Sequence, residues 1–404
     1  MKGRKMKILV VCQHYWPEPY PLTNTCEELA RRGHTVHVLT DVPNYPLGVT
    51  YEGYEKGKNR IQERNGVKIF RSFTVPRKKG PVFRVMNYYS YSLSSEQYLK
   101  NLDNDYDVVF ANQSSPIMMV RAAMKYRKLH GTKVLLYCMD LWPASLSAGG
   151  ISSGAVYEHY LKVSQHYYKQ ADRILVTSEM FKQYFNDVIG IPAEKIGWLP
   201  QFADDSFEDS PATENRDGKF HLMFAGNIGT AQSVDTILKA AEIIEKEYSC
   251  NDVQFDIVGD GSELEHLKQL KREMGINNVE FLGRKPKEEM PKYYAMADAM
   301  MVTLVNDEFI SLTLPAKVQS YMAAGKPVFA AATGEIPKVI ENSGCGICVP
   351  PEDFRALAKA IMDNRDRAYL KEAGRKGREY YDANFNKKIV VDRLEEELSR
   401  LTGK

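Results

Sequence analysis

Two short segments carry groups suited to holding an anion. Gly226-Asn227-Ile228-Gly229 follows the apolar run 222–225 and precedes a stretch of helical period, 233–247. Glycines let a backbone approach an anion closely, and free N–H groups at a helix start stabilise it by about 0.3–2 kcal/mol. The second segment is Leu314-Pro315-Ala316-Lys317. Its spacing predicts a helix with Pro315 in the first turn, where the missing N–H costs nothing. A cation in that turn opposes the helix dipole, so Lys317 is better explained by an anion bound beside it. A third group is Asp140, placed after the run 134–137 and before Leu141-Trp142-Pro143. A carboxylate at a strand's carboxyl end can hydrogen-bond a hydroxyl or move a proton, or it can simply cap the next turn. Glu18 between Pro17 and Pro19, Glu335 after Thr333-Gly334, and the pair Asp307-Glu308 also sit on loops after strands.

Several familiar patterns do not apply. No GxxxxGK[ST] loop is present, and Gly259-Asp260-Gly261 has Leu264 where a dinucleotide fingerprint has its third glycine, so ATP and NAD chemistry lose support. Gly150-Ile151-Ser152-Ser153-Gly154 spells a hydrolase elbow but follows no strand. Cys345-Gly346-Ile347-Cys348 has neither a second pair nor a clustered histidine, Asp103-Asn104-Asp105 precedes a strand, and the eight histidines form no ligand pattern. No metal is expected.

The elements that would position these groups come in two successive series. β-rich runs at 8–11, 36–39, 67–70, 108–111, 134–137 and 174–176, then at 222–225, 255–258, 279–282, 299–304, 327–331 and 346–349, alternate with helical patterns. That is the mark of parallel sheets built from βαβ units. The expected fold class is α/β, with two Rossmann-like doubly wound domains facing across a cleft. The domains are placed at 1–201 and 219–384, joined by the polar, acidic linker 202–218. An amphipathic helix at 385–404 crosses back onto the amino-terminal domain. Ligands of open α/β sheets sit outside the carboxyl ends of the strands, so the candidate residues belong on strand-to-helix loops.

Composition agrees with this class. The chain has 404 residues, 44% hydrophobic and 26% charged, which excludes disorder and a disulfide mini-protein. Six scattered cysteines read as reduced thiols of a cytoplasmic protein. No apolar stretch reaches about 20 residues, so no spanning helix is expected. Net charge is only +2, yet residues 1–100 hold 17 Lys and Arg against 8 Asp and Glu. Within them Arg77, Lys78, Lys79 and Arg84 accompany Val82, Phe83, Met86, Tyr89 and Leu93 at helical spacing. This fits a helix lying on an anionic membrane, at about 1 kcal/mol per basic residue near the surface; an ordinary surface helix is the alternative.

Taken in order, these motifs resemble those of glycosyltransferase family 4 enzymes of the GT-B fold, in a branch serving bacterial surface-polysaccharide assembly. The resemblance spans essentially the whole chain. It rests on Arg32-Gly33-His34, Pro43-Asn44-Tyr45-Pro46, Asp140-Leu141-Trp142-Pro143, and the stretches 226–233, 258–263, 281–284 and 314–328. It implies a retaining, metal-independent transfer of a hexosyl or N-acetylhexosaminyl group from a nucleotide diphosphate donor, with a UDP-sugar expected. The carboxyl-terminal domain would bind the donor and the amino-terminal domain the acceptor.

By the same resemblance, the amides of Gly226, Asn227, Ile228 and Gly229, with Lys317, lie at the diphosphate, and Gln232 and Pro315 belong to the donor-binding set. The backbone near Arg284 borders the base, and Ser320 stands where a ribose-binding glutamate is usual. Asn227 and Gln232 replace the Arg and Lys common in the family, and the usual glutamate pair is missing, with Leu312 and Ser320 at its positions. Asp140 and Lys317 are the expected catalytic groups. Glu18, Trp142, Asp307, Glu308 and Glu335 are possible contacts to donor sugar or acceptor, with Trp142 stacking on a sugar face or filling core.

The expected acceptor is a lipid-linked saccharide at the inner face of the cytoplasmic membrane, reached by peripheral contact through Arg77, Lys78, Lys79 and Arg84. Nucleic acid is not an expected partner. Two alternatives are a nucleotide-sugar epimerase of the same fold and a degenerate nucleotide-sugar-binding subunit.

Overall fold

Short apolar runs rich in valine, isoleucine and leucine, buried on both faces, form the central strands, as in parallel sheets covered by helices. The computed structural model describes residues 5–207 and 217–403. They divide into two units, Met1–Leu199 with Val391–Lys404, and Pro200–Val390.

The first unit holds β1 (Lys7–Val11), β2 (Thr35–Thr40), β3 (Ile61–Arg64), β4 (Val67–Arg71), β5 (Val108–Gln113), β6 (Lys133–Cys138), β7 (Arg173–Val176) and β8 (Ile196–Trp198). Their order in the sheet is β3-β4-β2-β1-β5-β6-β7-β8. All pairs are parallel except the edge pair β3 and β4. That hairpin turns on Asn65-Gly66, both at positive φ, the pair that a two-residue hairpin favours. The all-parallel expectation is therefore corrected at this edge.

The second unit holds β9 (Phe220–Asn227), β10 (Val253–Asp260), β11 (Val279–Gly283), β12 (Ala299–Thr303), β13 (Val328–Ala331) and β14 (Gly346–Val349), ordered β11-β10-β9-β12-β13-β14 and parallel throughout. Phe224, Ile228, Ile237, Phe255, Met301 and Phe329 belong to its core. Both units are Rossmann-like α/β layers, the fold class the sequence predicts.

The last helix, Lys387–Thr402, begins in the second unit, and Val391–Lys404 belongs to the first. There Val391, Leu394 and Leu398 are buried, while Arg32 bonds Asp392 at 2.6 Å and Glu395 at 2.9 Å, and Arg173 bonds Glu397 at 2.8 Å. Within the stretch 202–218, residues 208–216 lie outside the described residues. Its start is not the featureless linker expected. Phe207 is buried and stacks on Tyr294 with ring centroids 4.9 Å apart, and the Ala203 N–H donates to the Tyr381 hydroxyl. Among the described residues no helix is long and apolar enough to cross a membrane.

Candidate active site

In the second unit, the site is built where β9 ends. The Tyr321 hydroxyl accepts from the Ala225 N–H and donates to its carbonyl, both at 3.1 Å. This pins the helix Ala316–Ala323 to the end of β9. Lys317, the second residue of that helix, then lies over the Phe224 ring, its Nζ 4.0 Å from the centroid. Gly226, at φ +152°, leaves the space: a Cβ there would stand 3.1 Å from Nζ. On the far side Gln232 is held by the Thr303 hydroxyl, which donates to its carbonyl at 2.6 Å, and the Gln232 side-chain Oε1 accepts from Lys317 Nζ.

Among the described residues the Lys317 ammonium has that one hydrogen-bond acceptor and no carboxylate partner. The residue keeps some accessible surface, yet loss of water around its ammonium pulls the pKa down to about 7. A desolvated, unpaired cation at a helix start is stabilised by an anion. Pro315 sits one position earlier than expected, at the capping residue with extended ψ, instead of inside the first turn.

The amides suited to an anion also shift along the chain. The Ile228 N–H donates to the Asp260 carbonyl at 2.9 Å, and the Ile228 carbonyl accepts from Glu263. With its side chain in the core, Ile228 is a structural residue, which corrects its expected place at a ligand. Gly229, Thr230 and Ala231 supply the N–H groups that donate to no acceptor among the described residues. The loop is held flat by Gly259 and Gly261 of the next strand end, where a Cβ would come within 1.8 Å of the Gly226 carbonyl oxygen and 2.2 Å of that of Ile228. The exposed Asn227 side chain folds over Gly229.

Arg284 is exposed just beyond β11, and no described contact ties it to Lys317. The Ser320 hydroxyl bonds back to the Ala316 carbonyl at 3.2 Å. Asp307 is a helix cap: its Oδ1 accepts from the N–H groups of Phe309 and Ile310, both at 2.9 Å. Glu308 is exposed at the start of the same short helix. Glu335 is buried as the first residue of the helix Glu335–Ser343, so it is not the open loop carboxylate expected.

In the first unit, four neighbouring strand ends carry a row of polar groups. After β6, Asp140 accepts from the Ser115 hydroxyl beyond β5, which lies 3.3 Å from that of Ser145. Burial raises the Asp140 pKa, and the bonds from Ser115 and Ser145 oppose the rise. Trp142 is buried edge-on to Tyr160, with centroids 5.4 Å apart. It fills core and does not stand open to a sugar face, which corrects that alternative.

After β1, Glu18 is buried, and both its oxygens are engaged. Oε1 accepts from the Asn44 and Tyr45 N–H groups at 2.6 Å, and Oε2 lies 2.7 Å from His14 Nδ1. Glu18 can therefore act only through His14, which corrects its expected direct contact. Asp41, after β2, places a carboxylate oxygen within 4.8 Å of these ligand atoms. Burial, then the charge of Glu18, pushes its carboxyl well above the ordinary range. The arrangement is a hydrogen-bonded network, with Arg71 donating to the Asp41 carbonyl and to that of Trp16. The sequence reading missed His14. Its signal was a histidine four residues before Glu18 on a loop after the first strand.

The helix Pro81–Tyr98 buries its polar side, with Asn87, Ser92 and Ser95 inside, and turns Val82, Phe83, Val85, Met86, Tyr89 and Leu93 outward, Val82 being 66% exposed. Lys78, Lys79 and Arg84 are exposed near it. Arg77 is not a free cation, because it stacks on Tyr45 and Tyr88 at 5.6 and 5.4 Å.

Comparison with known proteins agrees with this layout. Residues 22–207 match the family described as Glycosyltransferase Family 4, and residues 219–364 the family described as Glycosyl transferases group 1. WcaI of Escherichia coli, assigned to colanic acid biosynthesis as a glycosyl transferase, is 25% identical over 415 residues, covering 96% of this chain and 98% of the relative. Among solved structures, the chain is similar to sucrose-phosphate synthase of Thermosynechococcus elongatus, with a TM-score of 0.77 at 18% identity over 99% of this chain and 100% of the other. It is also similar to HepE of Anabaena in complex with UDP-glucose, with a TM-score of 0.70 at 16% identity over 98% and 100%. These matches do not favour an epimerase or a non-catalytic subunit. With two glycosyltransferase domains in tandem on two Rossmann-like units, the chain is a GT-B glycosyltransferase.

Proposed function

We propose that the protein transfers a hexosyl or N-acetylhexosaminyl group from a nucleotide diphosphate sugar, a UDP-sugar in the first instance, to a lipid-linked saccharide during surface-polysaccharide assembly. One observation carries this reading: the Lys317 ammonium, unpaired by any carboxylate among the described residues, faces Gly226 beside the unused N–H groups of Gly229, Thr230 and Ala231. A departing nucleoside diphosphate gains negative charge in the transition state. Donors already in place stabilise that charge with little reorganisation. In this account Lys317 and the loop amides do so without a metal ion, and the sugar keeps its anomeric configuration. The second unit takes the donor, with Gln232 orienting Lys317 and Arg284 and Ser320 bordering the nucleoside. The first unit takes the acceptor, with Asp140 contacting it.

The outward apolar stripe of Pro81–Tyr98, beside Lys78, Lys79 and Arg84, supports peripheral contact with an anionic membrane, where a lipid-linked acceptor resides. The relation to WcaI supports the polysaccharide context, and the HepE complex supports the choice of a uridine donor.

Thermal unfolding with UDP, GDP, ADP, NAD and several nucleotide sugars, in EDTA, tests the donor site. A ligand that binds only the folded state adds about 2.7 kcal/mol at 100 times its dissociation constant. Selective stabilisation by uridine ligands in wild type but not in Lys317→Met is the expected result. No response to any nucleotide, with or without magnesium, would remove the basis for the reading.

A further inference from the structure

The polar row of the first unit contains a ring with a fixed direction, His14, whose Nε2 has no hydrogen-bond partner among the described residues. His14 Nδ1 lies 2.7 Å from Glu18 Oε2, and Glu18 is itself held by the Asn44 and Tyr45 N–H groups through its other oxygen. The ring is wedged between Tyr20 and Tyr45, with centroids 5.3 and 5.1 Å away. It is only 3% exposed, so its orientation is set on three sides. A carboxyl oxygen facing Nδ1 accepts its N–H, which fixes the tautomer and leaves a lone pair on Nε2. Among the described residues nothing donates to that Nε2.

Position strengthens the argument. β2, β1, β5 and β6 are consecutive neighbours in the sheet, and beyond their carboxyl ends stand Asp41, His14, Ser114 with Ser115, and Asp140. Tyr20, whose ring packs on His14, belongs to the same row: burial pushes its pKa up to about 12, Ser114 opposes the rise, and the charges of Glu18 and Asp140 add to it. A buried proton acceptor in such a row is matched by a neutral hydroxyl donor, not by an anion.

We infer that His14 is a substrate-binding residue of the first unit, its Nε2 accepting a hydrogen bond from a hydroxyl of the saccharide acceptor, with Glu18 as the positioning residue behind it. The inference rests on the transferase reading and adds the residue that recognises the acceptor. The groups facing the imidazole are Glu18 at Nδ1, Asp41 nearby, and the rings of Tyr20 and Tyr45.

The test combines a tautomer measurement with kinetics. Long-range proton–nitrogen NMR of histidine-labelled protein, with His14 assigned through His14→Gln, is expected to show N–H at Nδ1 and a bare Nε2, and Glu18→Gln is expected to weaken that preference. Transfer from a UDP-sugar to n-octyl glycosides, and hydrolysis of the same donor in their absence, form the kinetic part. His14→Gln is expected to lose transfer at least tenfold, through the acceptor KM, while UDP-sugar binding stays as in wild type. Glu18→Gln is expected to lose less, in step with the weakened tautomer preference.

A proton on Nε2 of neutral His14 overturns the inference, and so does transfer by His14→Gln within threefold of wild type. Wild-type protein that binds no nucleotide sugar instead sinks the transferase reading, and the tautomer result still decides the geometry assigned to His14.

Discussion

If Lys317 is the diphosphate-binding cation, donor binding must draw a proton. In the free protein its ammonium has been stripped of water and titrates near 7, below the ordinary lysine value of about 10.4. A bound diphosphate restores the charged form and returns the pKa toward that ordinary value. The sign follows from linkage: the free state holds fewer protons than the bound state between the two pKa values, so affinity falls as pH rises through that window. With a free pKa near 7, binding takes up about 0.1 proton at pH 6, about 0.5 at pH 7 and about 0.9 at pH 8. Affinity then drops about fivefold from pH 7 to 8 and approaches tenfold per unit above that, or about 1.4 kcal/mol.

A nucleotide sugar is the right ligand for this experiment because its diphosphate has no ionisation near neutrality. Isothermal titration in two buffers of different ionisation heat, at pH 6, 7 and 8, reads the uptake directly. Uptake that rises with pH in wild type and vanishes in Lys317→Met is the predicted pattern. Binding of equal strength at pH 6 and 9 with no uptake would refute the reasoning, because it would leave the diphosphate out of contact with this ammonium. The same depressed pKa has a converse for the empty protein. Its unfolded state binds the extra proton between pH 7 and about 10.4, so this group's unfavourable contribution to stability lessens as pH rises across that range.

Further outcomes follow from the same geometry. Gln232→Ala removes the one acceptor that Lys317 has among the described residues and is expected to weaken donor binding by about 1 kcal/mol in the same titration. Gly261→Ala drives a Cβ against the Ile228 carbonyl, and urea unfolding is expected to show a loss of about 1–3 kcal/mol; unchanged stability would mean the two strand ends are not in contact. Asp140→Asn should lower transfer while leaving the donor-induced thermal shift intact, and loss of both would place Asp140 in folding. Replacing Val85, Met86 and Leu93 by serine should reduce sedimentation with phosphatidylglycerol vesicles but not with phosphatidylcholine vesicles, where wild type is expected to bind weakly.

Much of the framework was legible because buried parallel strands are near-continuous apolar runs, and twelve of these were visible in the chain. The strands that escaped notice are of another kind. β3 reads Ile61-Gln62-Glu63-Arg64, an exposed edge whose partner is set by the Asn65-Gly66 turn, and β8 is three residues long. Lys317 and Gly226 were visible as types at loop and helix starts. Their meeting over Phe224 depends on Tyr321 bonding Ala225, a contact across 96 residues. Ile228 was misplaced because glycines on both sides suggested an open loop, whereas its amide is taken by Asp260 of the neighbouring strand. Glu18, between Pro17 and Pro19, reads from sequence as a loop carboxylate. Its partners Asn44 and Tyr45 lie 26 and 27 residues further on, and no local spacing predicts them. The exposed apolar stripe of Pro81–Tyr98 was legible as periodicity, but which side faced inward was settled only by Asn87 and Ser92 being buried.

The most direct measurement is nucleoside diphosphate release from a panel of nucleotide sugars, in EDTA, with and without a polyprenyl-linked saccharide fraction, by wild type and by Lys317→Met. The account predicts acceptor-dependent release from one donor by wild type, at least a hundredfold lower in the variant although it remains folded. Release unaffected by the substitution, or release that requires added metal and ignores the acceptor, would contradict it.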